Sequence, residues 1–352
     1  MNQYIHQLSP FALQFTETMG IRWYGLAYLM AFICAYAFID YMAKTKRILL
    51  TRDQVSDFIT YGAIGVLGGG RLGYALFYSP ELLTHFSGQF PFWGVLEVHK
   101  GGMASHGGIL GVLLACYIFG RRHKIPHMHL LDLTTIAGSL GFLFGRIANF
   151  INGELYGREA PADLSWAVKF PQEIYHWGAN EVDKLMSLGP AAEVFGTNSA
   201  TWADWINRYD QSAREQINHM KELIVSGTQA HNAALLDALA PVLTPRYPSQ
   251  LIQCFLEGFL VFLVLIWVWR KPQKIGVLSG TFGFGYCLAR IVGEAYRLPD
   301  YGIGYQWLGL TRGQWLSIAM AVVALAILIY SIRRPGQKIG GWAVAPELAG
   351  KK

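Results

Sequence analysis

The chain has 352 residues, 53% of them apolar and only 15% charged, with a formal net charge of +6. Soluble domains carry about 25% charged residues, so these figures exclude a disordered chain, weigh against a soluble enzyme and fit a polytopic membrane protein. A basic surplus in such a chain reports cytoplasmic loops rather than nucleic acid, and no nucleic-acid partner is expected.

A hydrocarbon core needs about 20 mainly apolar residues per helix. Seven stretches qualify: 20–42, 56–78, 101–120, 129–150, 251–269, 275–296 and 315–331. No Lys or Arg occurs in the first nineteen residues, and no small-residue cleavage pattern follows the first apolar run. A cleaved signal peptide is therefore not expected. The four cysteines, Cys34, Cys116, Cys254 and Cys287, sit in apolar runs without metal or redox spacing, and read as packing residues.

Loop charges alternate along the chain. Lys44, Lys46, Arg47 and Arg52 follow span one, Arg121, Arg122 and Lys124 follow span three, and Arg270, Lys271 and Lys274 follow span five. Arg333, Arg334 and Lys338 follow span seven, whereas the loop between spans two and three has Glu81, Glu97 and a single Lys100. The positive-inside rule then places the N-terminus outside and the C-terminus in the cytoplasm. The connection 153–250 has seven basic and twelve acidic residues, net −5, leaving +11 on the remainder. It reads as an extracytoplasmic head, or a spacer loop, with amphipathic helical patterns over 200–226 and 232–239.

The expected fold is thus an all-α polytopic membrane protein with seven transmembrane helices. Spans one to four with the first half of the site occupy 1–152, the head 153–250, spans five to seven 251–335, and a cytoplasmic tail 336–352.

An ionisable group in a membrane span is costly and marks function by default. Under this topology Arg22, Tyr24, Arg71, His106, Arg146, Asn149, Asn152, Glu154, Tyr286, Arg290, Glu294 and Arg297 all fall on the outer side. Tyr286, Arg290, Glu294 and Arg297 share one helical face, as do Arg146 and Asn149. Glycines crowd the same regions: Gly68, Gly69 and Gly70 before Arg71, Gly101, Gly102, Gly107 and Gly108 around His106, and Gly153 and Gly157 around Glu154. They serve close helix approach, or let backbone N–H groups reach a ligand, or both. Arginine binds phosphate through paired donors, so the set points to a phospholipid headgroup entering laterally. Any single arginine also has a plainer reading, as a snorkelling group or an ion pair such as Arg290 with Glu294.

Other classes fit less well. A transporter or channel would line both leaflets, and no broken spans suggest inverted repeats. A retinal-type receptor needs a lysine in the last span, and 315–331 has none. Ser105 adjoins His106 directly, which is poor geometry for an intramembrane serine protease.

The stretch Gly145-Arg146-Ile147-Ala148-Asn149-Phe150-Ile151-Asn152-Gly153-Glu154-Leu155-Tyr156-Gly157-Arg158 resembles the G-R-x-x-N-F-x-N-G-E-x-x-G signature of the prolipoprotein diacylglyceryl transferases of bacterial inner membranes. Gly102-Met103-Ala104-Ser105-His106-Gly107-Gly108 is similar to a second segment of that family. Trp23-Tyr24-Gly25, Gly69 to Tyr74, Pro248-Ser249-Gln250, Tyr286 with Arg290 and Glu294, Arg297 with Pro299-Asp300, and Gly313-Gln314 match others. The likeness covers about residues 20 to 335. Departures are Tyr247 where the family has His, Ile252-Gln253 where it has Tyr-Glu, Arg312 where it has Met, and a longer outer connection.

The resemblance implies transfer of a diacylglyceryl group from phosphatidylglycerol to the lipobox cysteine of preprolipoprotein signal peptides. A thioether forms and glycerol phosphate leaves. A monomer in the inner membrane is expected, and the topology turns its site to the outer leaflet; no metal or cofactor is expected, because no His/Cys/Asp cluster has ligand spacing. Fixed guanidinium groups stabilise a departing phosphate, which makes Arg146 and Arg290 the first choices, with Arg71 and Arg297 as supports. The acceptor must become a thiolate. Histidine titrates near neutrality, so His106 is the candidate base, or the group that positions the lipid. Tyr286 completes the catalytic set by orienting phosphate or relaying the proton. Tyr24, Arg71, Asn149, Asn152, Gly153, Glu154, Glu294 and Arg297 are the expected substrate-binding residues.

Overall fold

The computed structural model describes residues 3–16, 19–88, 90–97, 101–299 and 304–342. Lys100, Asp300 and the tail from 343, which enter the readings above, lie outside the described residues. In chain order come β1 (Tyr4–Ile5), a hairpin of β2 (Phe11–Gln14) and β3 (Gly20–Arg22), then α1 (Trp23–Lys44), α2 (Arg52–Phe77), α3 (Ser105–His123) and α4 (His127–Asn152). Next are β4 (Val168–Lys169), α5 (Val182–Met186), α6 (Gly189–Glu193), α7 (Ser199–Arg208), α8 (Gln211–Gln229), α9 (Ala233–Leu239) and β5 (Pro245–Arg246). Then α10 (Ser249–Gln253) passes through a π-helical turn, Cys254–Leu260, into α11 (Val261–Trp269). Last are β6 (Gln273–Lys274), α12 (Val277–Glu294), α13 (Arg312–Arg333) and β7 (Lys338–Ile339).

Helix covers most of each of the seven expected stretches, but Gly20–Arg22 is strand β3 and residues 101–104 precede α3. Four of these helices, Trp23–Lys44, His127–Asn152, Ser249–Trp269 and Arg312–Arg333, are long and apolar enough to cross a membrane. The protein is therefore a mostly helical, multi-pass membrane protein. The other three, α2, α3 and α12, are diluted by glycine and by Arg71, His106, Arg290 and Glu294.

The chain divides into two compact units. The first is Met1–Ala27, Leu143–Leu256 and Arg290–Trp315; the second is Tyr28–Phe142, Glu257–Ala289 and Leu316–Lys352.

In the first unit, β4 lies between β1, parallel to it, and β5, antiparallel to it. The N-terminal strand thereby joins the head, with Ile5 in its apolar core beside Ile174, Trp177, Trp202, Ile217 and Leu235. The expected amphipathic stretch 200–226 is broken in two, because Tyr209 turns left-handed (φ 46°) and Asp210 starts a new helix. Asn198, Asp210 and Asn232 cap α7, α8 and α9, accepting from the amides of Thr201 (2.8 Å), Ala213 (2.8 Å) and Leu235 (3.3 Å). Each cap satisfies an amide that has no partner within its helix. Glu173 and Arg246, both buried, pair at 2.6 Å. Glu173 also accepts from the Thr244 amide, and Arg246 donates to the Gly157 carbonyl.

In the second unit, α2 and α3 meet along a glycine seam. A Cβ on Gly65 would lie 2.6 Å from the Gly111 carbonyl oxygen, and one on Gly73 would lie 2.9 Å from the Gly107 Cα. Gly69 faces Gly107 just as closely. The spacing Gly65, Gly69, Gly73 against Gly107, Gly111 is the small-residue repeat that lets membrane helices touch backbone to backbone. Elsewhere in this unit the buried Asp132 carboxylate meets the start of α12. It accepts from the amides of Gly276 (2.6 Å) and Ser279 (2.8 Å) and from the Ser279 hydroxyl (2.7 Å). Strands β6 and β7 pair antiparallel.

Candidate active site

The first unit gathers most of the expected site residues around the end of α4. That helix stops at Asn152, and Gly153 takes a left-handed conformation (φ +68°). The Gly153 amide donates to the Phe150 carbonyl (2.9 Å) and the Glu154 amide to the Asn149 carbonyl (3.1 Å). These are the two bonds of a Schellman end. The turn brings the Glu154 carboxylate back to Asn149, whose Nδ2 donates to Oε1 at 2.8 Å. Tyr24, at the start of α1, donates its hydroxyl to the same Oε1 and accepts from Asn149 Nδ2. Three residues expected to bind substrate thus form one hydrogen-bonded group. The Gln172 side chain lies against Gly153, where any Cβ would collide with it. Gln250 Nε2 donates to the Glu154 carbonyl (2.7 Å) and Ser249 Oγ to the Leu155 carbonyl (2.9 Å).

A second group lies at the end of α12. Glu294 is buried and faces Arg290 Nη2 at 3.3 Å and Arg297 Nη1 at 4.0 Å. Its other oxygen accepts from the buried Thr311 hydroxyl (3.3 Å), and a Cβ on Gly313 would lie 2.8 Å from it. The helix ends at Glu294, so Arg297 reaches this carboxylate from the following turn rather than from a continuing helical face. The two groups are joined through the backbone: Arg158 donates to the carbonyls of Arg297 (2.8 Å) and Glu294 (3.2 Å). The amides of Gly157 and Arg158 donate to the carbonyls of Tyr247 and Tyr296, both at 3.0 Å. Gly157 is approached closely, since a Cβ there would lie 2.6 Å from the Tyr296 carbonyl oxygen. Arg146 is half-buried on α4, one turn before Asn149. Asn152 holds the last position of that helix, with Oδ1 buried and no hydrogen bond to it among the described residues.

The second unit carries the remaining three. Tyr286 packs its ring on Phe142 (4.7 Å) and stacks on Phe282 (5.8 Å). His106 is exposed in the first turn of α3, whose N-cap is Ala104 with no side-chain cap. Arg71 is buried, 4% exposed, and directed to main chain. Its Nε donates to Val95 O (2.8 Å), Nη2 to Gly94 O (2.9 Å) and Glu97 O (3.3 Å), and Nη1 to Gly102 O (3.0 Å) and Gly101 O.

Several participants went unread in the sequence. Gln172, Thr311 and the Glu173–Arg246 pair act on backbone or on other side chains, and nothing in their spacing marks them. Ser249 and Gln250 carried a signal in the Pro-Ser-Gln match, and Arg158 closed the signature-like stretch without an assigned role. Of the departures, Tyr247 packs between Trp166 (5.6 Å) and Tyr296 (5.4 Å). Gln253 is buried and Arg312 exposed.

Fold and polar groups together describe a multi-pass helical membrane protein with arginines and carboxylates gathered at the ends of two helices, α4 and α12. The chain belongs to the prolipoprotein diacylglyceryl transferase family, whose profile matches residues 10–330. Among its relatives is the phosphatidylglycerol–prolipoprotein diacylglyceryl transferase of Bdellovibrio bacteriovorus, 49% identical over 340 residues, 96% of this chain and 97% of the relative. Proteins of the same name from Rhodospirillum centenum and Psychrobacter arcticus are 35% and 36% identical. They cover 91% and 93% of this chain, and 92% and 95% of their own lengths are matched.

Proposed function

We propose that the protein transfers the diacylglyceryl group of phosphatidylglycerol to the lipobox cysteine of a preprolipoprotein. The thiol sulfur attacks the glyceryl carbon that bears the phosphate. A carbon–sulfur bond forms, the carbon–oxygen bond breaks, and glycerol phosphate leaves with the bonding pair. The thiol proton passes to a base. Family membership supports this reading, and the carrying observation is the joined pair of groups, Tyr24–Asn149–Glu154 and Arg290–Glu294–Arg297. Arg146 and Arg290 take the charge that builds on the departing phosphate, with Arg297 beside them. His106 removes the thiol proton, and Tyr286 orients the phosphate or relays that proton. Tyr24, Asn149, Asn152, Gly153 and Glu154 hold the headgroup. Arg71 has no N–H left for phosphate and is not assigned to the lipid.

The same reading takes all seven helices as spans, the N-terminus outside, the C-terminus in the cytoplasm, 153–250 as an outer head and 336–352 as a tail. It takes the protein as a monomer in the bacterial inner membrane, receiving lipid and signal peptide from the outer leaflet. Purified protein supplied with phosphatidylglycerol and a lipobox peptide should yield a thioether-linked diacylglyceryl peptide when the peptide carries Cys, and nothing when it carries Ser. Folded protein that leaves the Cys peptide unmodified defeats the proposal.

A further inference from the structure

The spacing of polar residues grouped Arg71 with the phosphate-binding arginines, but its surroundings give it another task. A guanidinium has five N–H donors. Here all five meet carbonyl oxygens, those of Gly94, Val95, Glu97, Gly101 and Gly102. Paired recognition of a phosphate needs two donors of the fork directed at the anion, and this fork has none to direct.

Two of the carbonyls, of Gly94 and Val95, belong to a short 3-10 helix (Gly94–Leu96) with Glu97 at its end, and two, of Gly101 and Gly102, belong to the turn that leads into α3. Backbone carbonyls buried away from solvent need partners; one planar fork supplies them to the buried Gly94 and Val95 and reaches the more open Glu97, Gly101 and Gly102 as well. The turn is then fixed at its far end: the Ala104 amide donates to the Gly70 carbonyl (2.9 Å), next to Arg71 on α2. Gly107, one residue beyond His106, is locked against Gly69 and Gly73 of the same helix. His106 therefore sits between two points, Ala104 and Gly107, that α2 holds. We propose that Arg71 is a positioning residue for His106. It braces Gly94, Val95, Glu97, Gly101 and Gly102 so that the first turn of α3 presents the imidazole at a fixed place. This rests on the reading of His106 as the reacting base.

Gly102 offers an independent handle. It has φ +82°, and a Cβ there would lie 2.8 Å from Arg71 Nη1 and 2.5 Å from the Tyr74 ring. Gly102→Ala pushes the brace from the opposite side while keeping the arginine and its charge. Arg71→Lys keeps the charge with three donors and no planar fork, and Arg71→Gln removes both.

The test uses the full chain, purified in mixed micelles of phosphatidylglycerol, with a lipobox Cys peptide. Hydrogen exchange of residues 94–104 is read in parallel. If Arg71 positions His106, all three variants lose kcat by about 10²-fold, the scale of a reacting group misplaced by about 1 Å. KM for phosphatidylglycerol stays within about twofold. Exchange over 94–104 rises while that over 143–256 is unchanged. The double variant Arg71→Lys with Gly102→Ala is no worse than either single, because both break one device. A near-normal Arg71→Lys beside an Arg71→Gln whose KM rises about tenfold would mark a lipid ligand and overturn the inference. So would unchanged exchange or an additive double variant. Failure of the proposed reaction itself reads differently: the unsubstituted protein makes no thioether, whatever the exchange pattern.

Discussion

His6 makes the head sensitive to acid, and the size of the effect follows from its surroundings. The ring is fully buried, edge-on to Phe150 (5.4 Å, 90°) and tilted on Phe170 (5.4 Å, 31°). Gln172 Nε2 lies 3.4 Å from Nδ1, and Gln172 is the side chain that lies on Gly153. Burial pushes the imidazole down from 6.5 to about 4, the Phe150 backbone only partly offsetting it. The folded state thus keeps the ring neutral in a range where the unfolded chain protonates it. Between pH 6.5 and about 4 the unfolded state binds more protons, so stability is full above 6.5 and falls as the pH drops towards 4. At about 1.4 kcal/mol per pH unit the loss is about 3 kcal/mol, or roughly 6–12 °C in the apparent melting temperature if the whole first unit, rather than the head by itself, unfolds as one body. His6→Phe keeps an aromatic ring between Phe150 and Phe170 and removes the titrating group. Melting followed by protease resistance of the head at pH 7 and pH 4 should show the unsubstituted protein losing that much more than the variant. Parallel loss in the two proteins would refute the reasoning.

Three further outcomes follow from buried contacts. Asp132→Ala strands the amides of Gly276 and Ser279 at the start of α12; two orphaned donors at about 1–3 kcal/mol each should lower thermal stability in detergent, and an unchanged melting temperature would refute the capping role. Glu173→Gln leaves the Arg246 charge buried without its counter-ion, at about 3–5 kcal/mol. Replacing both, Glu173→Leu with Arg246→Met, should cost clearly less than the single change in the same melting assay. Gly111→Ala drives a methyl group into the Gly65 carbonyl and should reduce the yield of folded protein, whereas Gly68→Ala, with open space around it, should leave yield unchanged or raise it.

The helices were legible because an apolar run of about 20 residues has one economical solution in a bilayer. The grouping of polar residues was legible in part. Glu294 with its two arginines follows from helical spacing, although Arg297 arrives from beyond the helix end. The role of Arg71 was not legible, because its partners are main-chain carbonyls of a segment with no periodicity of its own. Glycines split the same way. Gly65, Gly69, Gly73, Gly107 and Gly111 are for contact between helices, and their four-residue spacing was there to be read. Gly153 serves a left-handed turn, which depends on where the helix happens to stop. In the head, amphipathic spacing continued across Tyr209 and Asp210, and the left-handed Tyr209 with the cap at Asp210 separates the two helices.

The signature around Asn149 shows why its order is what it is. In a helix continued past Asn152, residues five apart would point about 140° away from each other and stand about 7.5 Å apart along the axis, so Glu154 would never meet Asn149. A left-handed residue at position 153 reverses the chain, and the resulting six-to-one bond places the amide of Glu154 on the carbonyl of Asn149. Glycine adopts that conformation without strain, and at this position it also leaves room for Gln172. Leu155, again left-handed at φ 54°, turns the chain once more towards Gly157, where the carbonyls of Tyr247 and Tyr296 come too close for a side chain. Arg146 precedes all of this by one helical turn, on the same face as Asn149. Asn, Gly, Glu and Gly at 149, 153, 154 and 157 are therefore one device: a helix end folded back so that the Glu154 carboxylate returns to Asn149 and the chain passes closely under Tyr247 and Tyr296.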